Sequence, residues 1–237
     1  MDRPPRSLVH DIPVLRQPDD VSCGPTCLTK VLQFFGDDRG FDAVAAEVDR
    51  NPDGGTVGVH LGRAALALGY GATIYTYNLR VFDPTWAGLD PVALKAKLAA
   101  RAAAVTDPPL ERITSAYCAY LEAGGEIGFA DLDRGLLVDH LAQGRPIVCG
   151  LSSTYLYGTA REIAETNQSD DVVGEPAGHF VVIGGYLDEG ARFVVFDPYL
   201  QNPVADGQRY EVTERRLLNA ILLGDVTFDG VLLLVHP

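Results

Sequence analysis

The stretch from Gln17 to Gly36, QPDDVSCGPTCLTKVLQFFG, constrains the fold more than any other part of the chain. After Cys23, apolar and small residues recur at the three-and-four spacing of a helix that buries one face. Gly24 and Pro25 suit the first turn, because proline fixes φ near the helical value and its missing N–H is not needed there. These features predict a helix over 23–35. Its buried positions would be Cys27, Leu28, Val31, Leu32 and Phe35.

Cys23 would then stand at the start of this helix. Free N–H groups and the positive end of the helix dipole favour a thiolate at such a position. Most cysteines early on an amphipathic helix are nevertheless small buried hydrophobes. Cys23 therefore becomes a candidate nucleophile only if the rest of the chain supplies a base and an orienting group.

Composition limits the classes of function. With 237 residues, the chain fits one compact domain, 1–237, or a core with an insertion. A formal charge of −13 argues against a nucleic-acid partner, because phosphate binding needs clustered lysine and arginine. No apolar run approaches the ~18 residues of a membrane span, and no signal peptide is visible. Four cysteines without the density of a disulfide scaffold predict a reducing, cytoplasmic location.

The order of predicted elements indicates an α+β fold. Helices dominate the first half, and mostly antiparallel strands follow, so we expect the N-terminal helix to pack on an antiparallel sheet. The stretch 79–130 is predicted to be a helical insertion, interrupted where Pro108 and Pro109 break a helix. Val14 and Leu15 are predicted to form a short strand, and the polar stretch 152–177 is predicted to be a long loop.

Two strong strands are predicted near the C-terminus, and they contain a candidate base and a candidate orienting group. HFVVIGGY from His179 and RFVVFD up to Asp197 are joined by LDEGA, which is typical of a hairpin. The expected register places His179 and Asp197 on one face, either directly opposed or diagonal, with Cβ atoms roughly 5–8 Å apart. A shift of one residue would separate them.

Together these residues predict nucleophilic catalysis. His179 would take the proton of Cys23 and later donate it to a leaving group, while Asp197 would orient the ring. Gln17 would bind the developing oxyanion together with the Cys23 backbone N–H. Taken singly, each has a more ordinary interpretation: a polar strand end for His179, a turn before Pro198 for Asp197, and a loop residue for Gln17.

The same segments resemble the papain-like cysteine peptidases that process double-glycine bacteriocin leaders. The resemblance rests on Gln17 through Cys23-Gly24-Pro25, on GHFVVIGGY and on FDPY, and it covers about 17–77 and 132–200. It implies a papain-like fold with a triad of Cys23, His179 and Asp197 and the oxyanion-hole glutamine Gln17. The stretch 79–130 is extra, and residues 201–237 extend past the usual end. No transporter segment is visible, so the chain is similar to stand-alone bacterial members.

The leading hypothesis is a thiol-dependent hydrolase of a peptide or small amide, with no cofactor and no metal. An acyltransferase or transpeptidase would need the same nucleophile, base and oxyanion hole, and a non-catalytic peptide-binding module would keep the fold alone. Similarity to relatives associated with peptide-ligase-like proteins implies such a partner. Cys27, one turn beyond Cys23, is interpreted as a core residue, because no second pair completes a zinc site.

Overall fold

The computed structural model describes residues 4–52, 54–163, 166, 168–224 and 230–237. The helices are α1 (Cys23–Phe34), α2 (Phe41–Ala45), α3 (Gly58–Ala67), α4 (Pro91–Ala104), α5 (Pro108–Glu122), α6 (Arg134–Ala142), α7 (Ser153–Tyr157) and α8 (Glu214–Leu223). The strands are β1 (Leu8–Val9), β2 (Gly71–Thr76), β3 (Glu126–Gly128), β4 (Ile147–Ser152), β5 (Glu162–Ile163), β6 (Gln168–Ser169), β7 (Gly178–Leu187), β8 (Arg192–Phe196), β9 (Arg209–Thr213) and β10 (Val231–His236).

One mixed sheet forms the centre of the molecule. Its strands follow the order β3-β2-β10-β4-β7-β8-β9, and β1 pairs with the C-terminal part of β7. Among the described strands, β2 and β3 run parallel and the other neighbours run antiparallel. The predicted α+β fold, with an N-terminal helix packed on a mostly antiparallel sheet, is confirmed.

Helices cover both faces of this sheet, because its strands alternate buried side chains between two cores. One core joins Phe180 and Val182 of β7 to α1, α3, α4 and α5. The other joins Val181 and Ile183 of the same strand to α6, α7 and α8. Burial on both faces explains why β7 is a nearly continuous apolar run rather than a half-polar one.

A bulge in β7 sets the register of the predicted hairpin. Near the turn, Gly185 pairs with Val194, but beyond Gly184 the pairing becomes Ile183 with Val195. The extra residue changes which side chains share a face. Extending the second register puts Asp197 opposite Val181, two residues from His179 and on its face. Without the bulge, Asp197 would lie opposite Val182, on the other face.

The structure changes three local predictions. The N-terminal strand is Leu8–Val9, which pairs with β7 beside the bulge, whereas Val14 is 73% exposed and lies outside any strand. Two separate helices meet at Pro108, as predicted, but Pro108 itself belongs to the second helix, α5, because Asp107 caps the Leu110 N–H and proline fits the first turn.

The third change concerns 152–177, which is not one continuous loop. α7 begins where Ser152 Oγ accepts the Tyr155 N–H, and it ends at Gly158 in the left-handed region, φ 71°. The short hairpin β5–β6 follows, and residues 164, 165 and 167 lie outside the described part.

The stretch 79–130 contains a short 3₁₀ turn, α4, α5 and β3. Leu94, Leu98, Leu110 and Tyr120 from this stretch are buried in the same core as α1 and α3. Its interpretation as an insertion into a single domain stays a prediction. Within the described ranges, no helix combines the length and the apolar character that a membrane crossing requires.

The close packing around the bulge can be tested by substitution. A Cβ at Gly184 would lie 2.6 Å from Phe196 Cε2 and 2.7 Å from Ile12 Cγ1. We expect Gly184→Ala to lower the free energy of unfolding by about 1–3 kcal/mol, because a well-packed core does not accept the extra methyl. Urea unfolding measures this loss. Gly40→Ala, where a Cβ meets nothing within 4 Å, is the control, and equal losses in both variants would contradict the close packing.

Candidate active site

Cys23 is the first residue of α1 and remains partly exposed. The first helical hydrogen bond runs from the Thr26 N–H to Ser22 O at 3.1 Å. The N–H groups of the first turn have no acceptor inside a helix and point toward its N-terminal end. The sequence therefore predicted the placement of this sulfur correctly, at the tip of an otherwise buried helix.

Neighbouring loops hold the helix start in place. A Cβ at Gly24 would lie 2.6 Å from Thr56 Cγ2. Glycine at this position therefore allows the start of α1 to approach the loop that leads into α3. Arg50 donates to Val21 O at 2.7 Å, to Gly54 O at 3.1 Å and to Ser22 Oγ at 3.3 Å. Arg50 thus fixes the residues immediately before Cys23. No sequence pattern indicated this role, because Arg50 lies far from Cys23 along the chain.

His179 and Asp197 meet as the hairpin register requires. His179 Nε2 donates to Asp197 Oδ1 at 2.8 Å. His179 is 8% exposed and Asp197 is fully buried. His179 is the second residue of β7, and Asp197 directly follows the last residue of β8. The two residues are diagonal neighbours on one face, which is one of the two arrangements expected from sequence.

Asp197 has further hydrogen-bond donors that sequence reasoning missed. The hydroxyl groups of Tyr157 and Tyr210 each donate to Oδ2 at 2.8 Å, and the Tyr199 N–H donates to Oδ1 at 2.9 Å. Both carboxylate oxygens therefore accept two hydrogen bonds. Tyr157 was hidden in a stretch predicted to be a loop, and Tyr210 becomes visible only once β9 is paired with β8.

These contacts fix the ionisation states of the site. Burial alone would lower the pKa of His179, but the charges of Asp197 and Cys23 outweigh it and raise that pKa to about 10. For Asp197, burial favours the neutral acid, yet His179 and the hydrogen bonds hold its pKa below the usual value. Burial raises the pKa of Tyr157 and of Tyr210, so both hydroxyl groups stay protonated donors. His179 and Asp197 are therefore a charged pair at neutral pH.

Cys23 lies close enough to His179 for the two side chains to interact electrostatically, and this interaction helps to raise the His179 pKa. Because Nε2 is engaged by Asp197, Nδ1 is the ring nitrogen that remains for the sulfur. The Tyr157 ring packs on the imidazole with 6.1 Å between ring centroids. The structure thus brings together the three side chains that the sequence named as nucleophile, base and orienting group.

Gln17 is buried and attached to the same turn as Asp197. Its backbone N–H donates to Pro198 O at 3.0 Å, and its Nε2 donates to Asp19 O at 2.8 Å. Its Oε1 is buried without a hydrogen-bond partner among the described residues. Gln208 reinforces this attachment, since its Nε2 bridges Leu15 O at 3.0 Å and Asp197 O at 2.9 Å. One N–H of the Gln17 amide remains for a further acceptor.

Two other polar residues of α1 are buried behind Cys23. Cys27 Sγ donates to Phe180 O at 3.3 Å, and burial raises its pKa well above the usual range. Lys30 is also fully buried, and its Nζ has no hydrogen-bond partner in the described part of the chain. Burial lowers the pKa of Lys30, while Cys27 and Asp197 oppose that shift. Over the same part, no group of three or more acidic, histidine or cysteine side chains is arranged to hold a metal.

The charged pair makes stability depend on pH in a defined window. The raised pKa of His179 means that its imidazolium stabilises the folded state fully below pH 6.5 and that this contribution is lost as the pH rises to about 10. We expect the difference in unfolding free energy between wild type and His179→Gln to shrink steadily across this range. Chemical denaturation at a series of pH values measures it.

His60→Gln is the control for this experiment, because burial lowers the pKa of His60 and so confines its contribution to lower pH. Its difference from wild type should stay flat above pH 6.5 and change below it. A flat difference for His179→Gln over the upper window would contradict the charged pair.

Comparison with known proteins identifies a family. The model of the Peptidase_C39 like family matches residues 98–218, a stretch that contains His179 and Asp197 but not Cys23 or Gln17. A search of curated protein sequences gives no significant match.

Solved structures extend the similarity over the whole chain. A C39-like protein from Bacillus anthracis is 14% identical, with 98% of both chains covered and a TM-score of 0.53. Xylellain, a cysteine protease from Xylella fastidiosa, is 17% identical over 99% of this chain and 87% of its own, with a TM-score of 0.48. The peptidase domain of Streptococcus ComA, a bi-functional ABC transporter, is 13% identical over 94% and 97%, with a TM-score of 0.44.

At these identities the structures compare folds, and the first of them shows the papain-like C39 architecture that the sequence resemblance implied. The family model covers about half of the chain, including the hairpin of the site. The chain therefore belongs to the Peptidase_C39 like family.

Proposed function

We propose that this chain is a thiol-dependent hydrolase that cleaves a peptide or other amide bond through Cys23, His179 and Asp197. The observation that carries the proposal is the buried pair of His179 Nε2 and Asp197 Oδ1, 2.8 Å apart, beside a partly exposed Cys23 that is close enough to raise the pKa of the imidazole. The family and its fold support the thiol peptidase chemistry at the coarser level.

The first half of the reaction forms an acyl-enzyme. The Cys23 sulfur, as a thiolate beside the imidazolium, attacks the carbonyl carbon and forms a C–S bond. His179 then gives its Nδ1 proton to the nitrogen of the leaving amine while the C–N bond breaks. Asp197 stays ionised throughout and keeps the ring oriented, with its second oxygen held by two tyrosine hydroxyl groups.

The oxyanion of the tetrahedral intermediate needs donors that are already in place. The backbone N–H of Cys23, at the free end of α1, is one such donor. The remaining N–H of the Gln17 amide would be the second, because its backbone is tied to Pro198 beside Asp197. Such a donor is typically worth ~3 kcal/mol of the barrier.

The second half of the reaction regenerates the enzyme. His179, now neutral, takes a proton from water as the water oxygen attacks the thioester carbon. The C–S bond breaks, the product leaves as a carboxylic acid, and the thiolate–imidazolium pair is restored. If an amine takes the place of water, the same steps give acyl transfer.

Turnover of a mixed peptide pool by active-site variants tests this proposal. We expect Cys23→Ala and His179→Ala to abolish turnover, because they remove the nucleophile and the proton carrier. Asp197→Ala should be less severe, and Gln17→Ala should lower kcat by about 10²–10³ if its amide binds the oxyanion. Mass spectrometry of the products measures all four, and added amines would reveal acyl transfer.

Cys118→Ala is the matched control, since Cys118 is also a partly exposed thiol but lies on α5, away from His179. Its turnover should equal that of wild type. The proposal would be wrong if Cys23→Ala kept wild-type turnover.

A further inference from the structure

A cavity of about 460 Å³ opens beside the His179 strand and takes no part in the steps above. It lies between α7, α8 and the segment that leads into β7. Its wall includes two arginines, an aromatic ring and a glycine. Its lining includes Ser152, Tyr155, Gly158, Arg161, Pro176 and Arg216.

The cavity lies beside the residues that precede His179, and the helices that border it pack on the face of the sheet opposite to α1. Ser152 pairs with Gly178, the residue before His179. Pro176 precedes His179 by three residues, a chain length that spans about 10 Å at most. α7 and α8 pack in the core opposite to the one that contains α1. Because His179 protonates the leaving amine, the part of a substrate beyond that amine extends toward this side.

Charge distinguishes the cavity from its surroundings. The protein carries a formal charge of −13, yet the charged side chains that line the cavity are the guanidinium groups of Arg161 and Arg216. In the described part of the chain, neither forms an ion pair with a carboxylate within 4.0 Å. A positive cavity in an acidic protein attracts negatively charged groups and excludes positive ones.

Arg216 is held in a fixed position, and among the described residues its Nη1 and Nη2 atoms donate no hydrogen bond. Its Nε donates to Leu156 O at 3.1 Å, and its Cζ lies 4.9 Å from the centre of the Tyr155 ring. Asn219 Nδ2 donates to the hydroxyl oxygen of the same tyrosine at 3.3 Å. A Cβ at Gly158 would lie 2.8 Å from Arg216 Nη2, so this left-handed glycine leaves room for the guanidinium. A preordered guanidinium loses little side-chain entropy when it binds a ligand.

Arg161 contributes a second, partly compensated charge. Its Nη2 donates to the backbone oxygens of Asp171 and Val172, and Asp170 lies near enough to interact with it electrostatically. Arg216 has the less compensated charge of the two. We therefore expect Arg216 to dominate recognition and Arg161 to add to it.

We propose that this cavity binds a carboxylate of the substrate on the leaving-group side of the scissile bond, with Arg216 as its main partner. The planar fork of a guanidinium matches the two oxygens of a carboxylate. The position of the carboxylate relative to the cleaved bond rests on the proposed function, whereas the binding of a carboxylate does not. An acidic side chain and a free C-terminus present the same chemical group.

A binding experiment on the full-length Cys23→Ala chain separates these two sources. The probes are N-acetylglutamate amide, with a side-chain carboxylate, N-acetylalanine, with a terminal carboxylate, and the neutral N-acetylglutamine amide. Protein-detected NMR follows the Arg216 Nε–H signal and the amide signals of α7. We expect saturable shifts with at least one carboxylate, weakened by salt, and no saturation with the neutral probe. The tighter carboxylate identifies the source.

Variants connect the binding to the cavity. Arg216→Gln should weaken carboxylate binding at least about tenfold, because a charge-assisted pair is lost, and Arg161→Gln should weaken it less. Arg209→Gln is the control, since Arg209 also stacks on a ring, 5.6 Å from the Phe196 centre, but does not line the cavity. Equal binding of the neutral probe, no saturable binding of either carboxylate, or wild-type affinity in both Arg216→Gln and Arg161→Gln would overturn the proposal.

A cleavage experiment on the active chain tests the placement relative to the scissile bond. Peptides cut from a mixed pool should be enriched in a carboxylate on the leaving-group side, and Arg216→Gln should lose this enrichment while Arg209→Gln keeps it. Cleavage without enrichment would overturn the placement and leave the proposed function intact. Absence of cleavage would contradict the proposed function, while the binding experiment would still decide whether the cavity takes a carboxylate.

Discussion

The buried carboxylate of Asp197 is the group that the rest of the site is built to accommodate. An ionised carboxylate without solvent is costly unless charges and donors surround it. Here His179, two tyrosine hydroxyl groups and the Tyr199 N–H supply those contacts. The same contacts keep the imidazole charged and fix which nitrogen faces Cys23. Removing any single donor would leave a buried charge undercompensated.

Distant parts of the chain converge on this carboxylate. The bulge at Gly184 places it on the face of His179, α7 brings Tyr157, and β9 brings Tyr210. The segment before α1 is attached to the residues around Asp197. The Gln17 N–H donates to Pro198 O, and Gln208 Nε2 bridges Leu15 O and Asp197 O. α1 then brings Cys23 close enough to the ring to interact with it electrostatically. The site is therefore a product of the sheet register as much as of local motifs.

The sequence predicted the parts of this arrangement that local rules decide. The helical spacing after Cys23 and the paired apolar runs around LDEGA were sufficient for α1 and for the hairpin. The shared face of His179 and Asp197 was also predicted, but the structure reaches it through the bulge at Gly184 and not through the regular register that was assumed. Tyr157, Tyr210 and Arg50 were missed, because their roles arise only from tertiary contacts. The adjacent Gly184 and Gly185 inside a strand were a visible bulge signal that was not used.

Three predictions are established neither by the fold nor by the family. A single domain with an insertion at 79–130, a cytoplasmic location and a peptide-ligase-like partner stay predictions. The resemblance to C39-type peptidases is confirmed by the family model and by the shared fold. Catalytic roles for Cys23, His179, Asp197 and Gln17 stay proposals that rest on the geometry described above.

The proposed chemistry depends on activation of the sulfur at the tip of α1 by a charged imidazole. The rate of alkylation by iodoacetamide at neutral pH, resolved by peptide mass spectrometry, tests it most directly. Cys23 should react faster than Cys118, whose pKa is raised by burial, and faster than the fully buried Cys27 and Cys149. The advantage of Cys23 should disappear in His179→Gln. Equally slow labelling of Cys23 and Cys118 in the wild-type protein would contradict the claim.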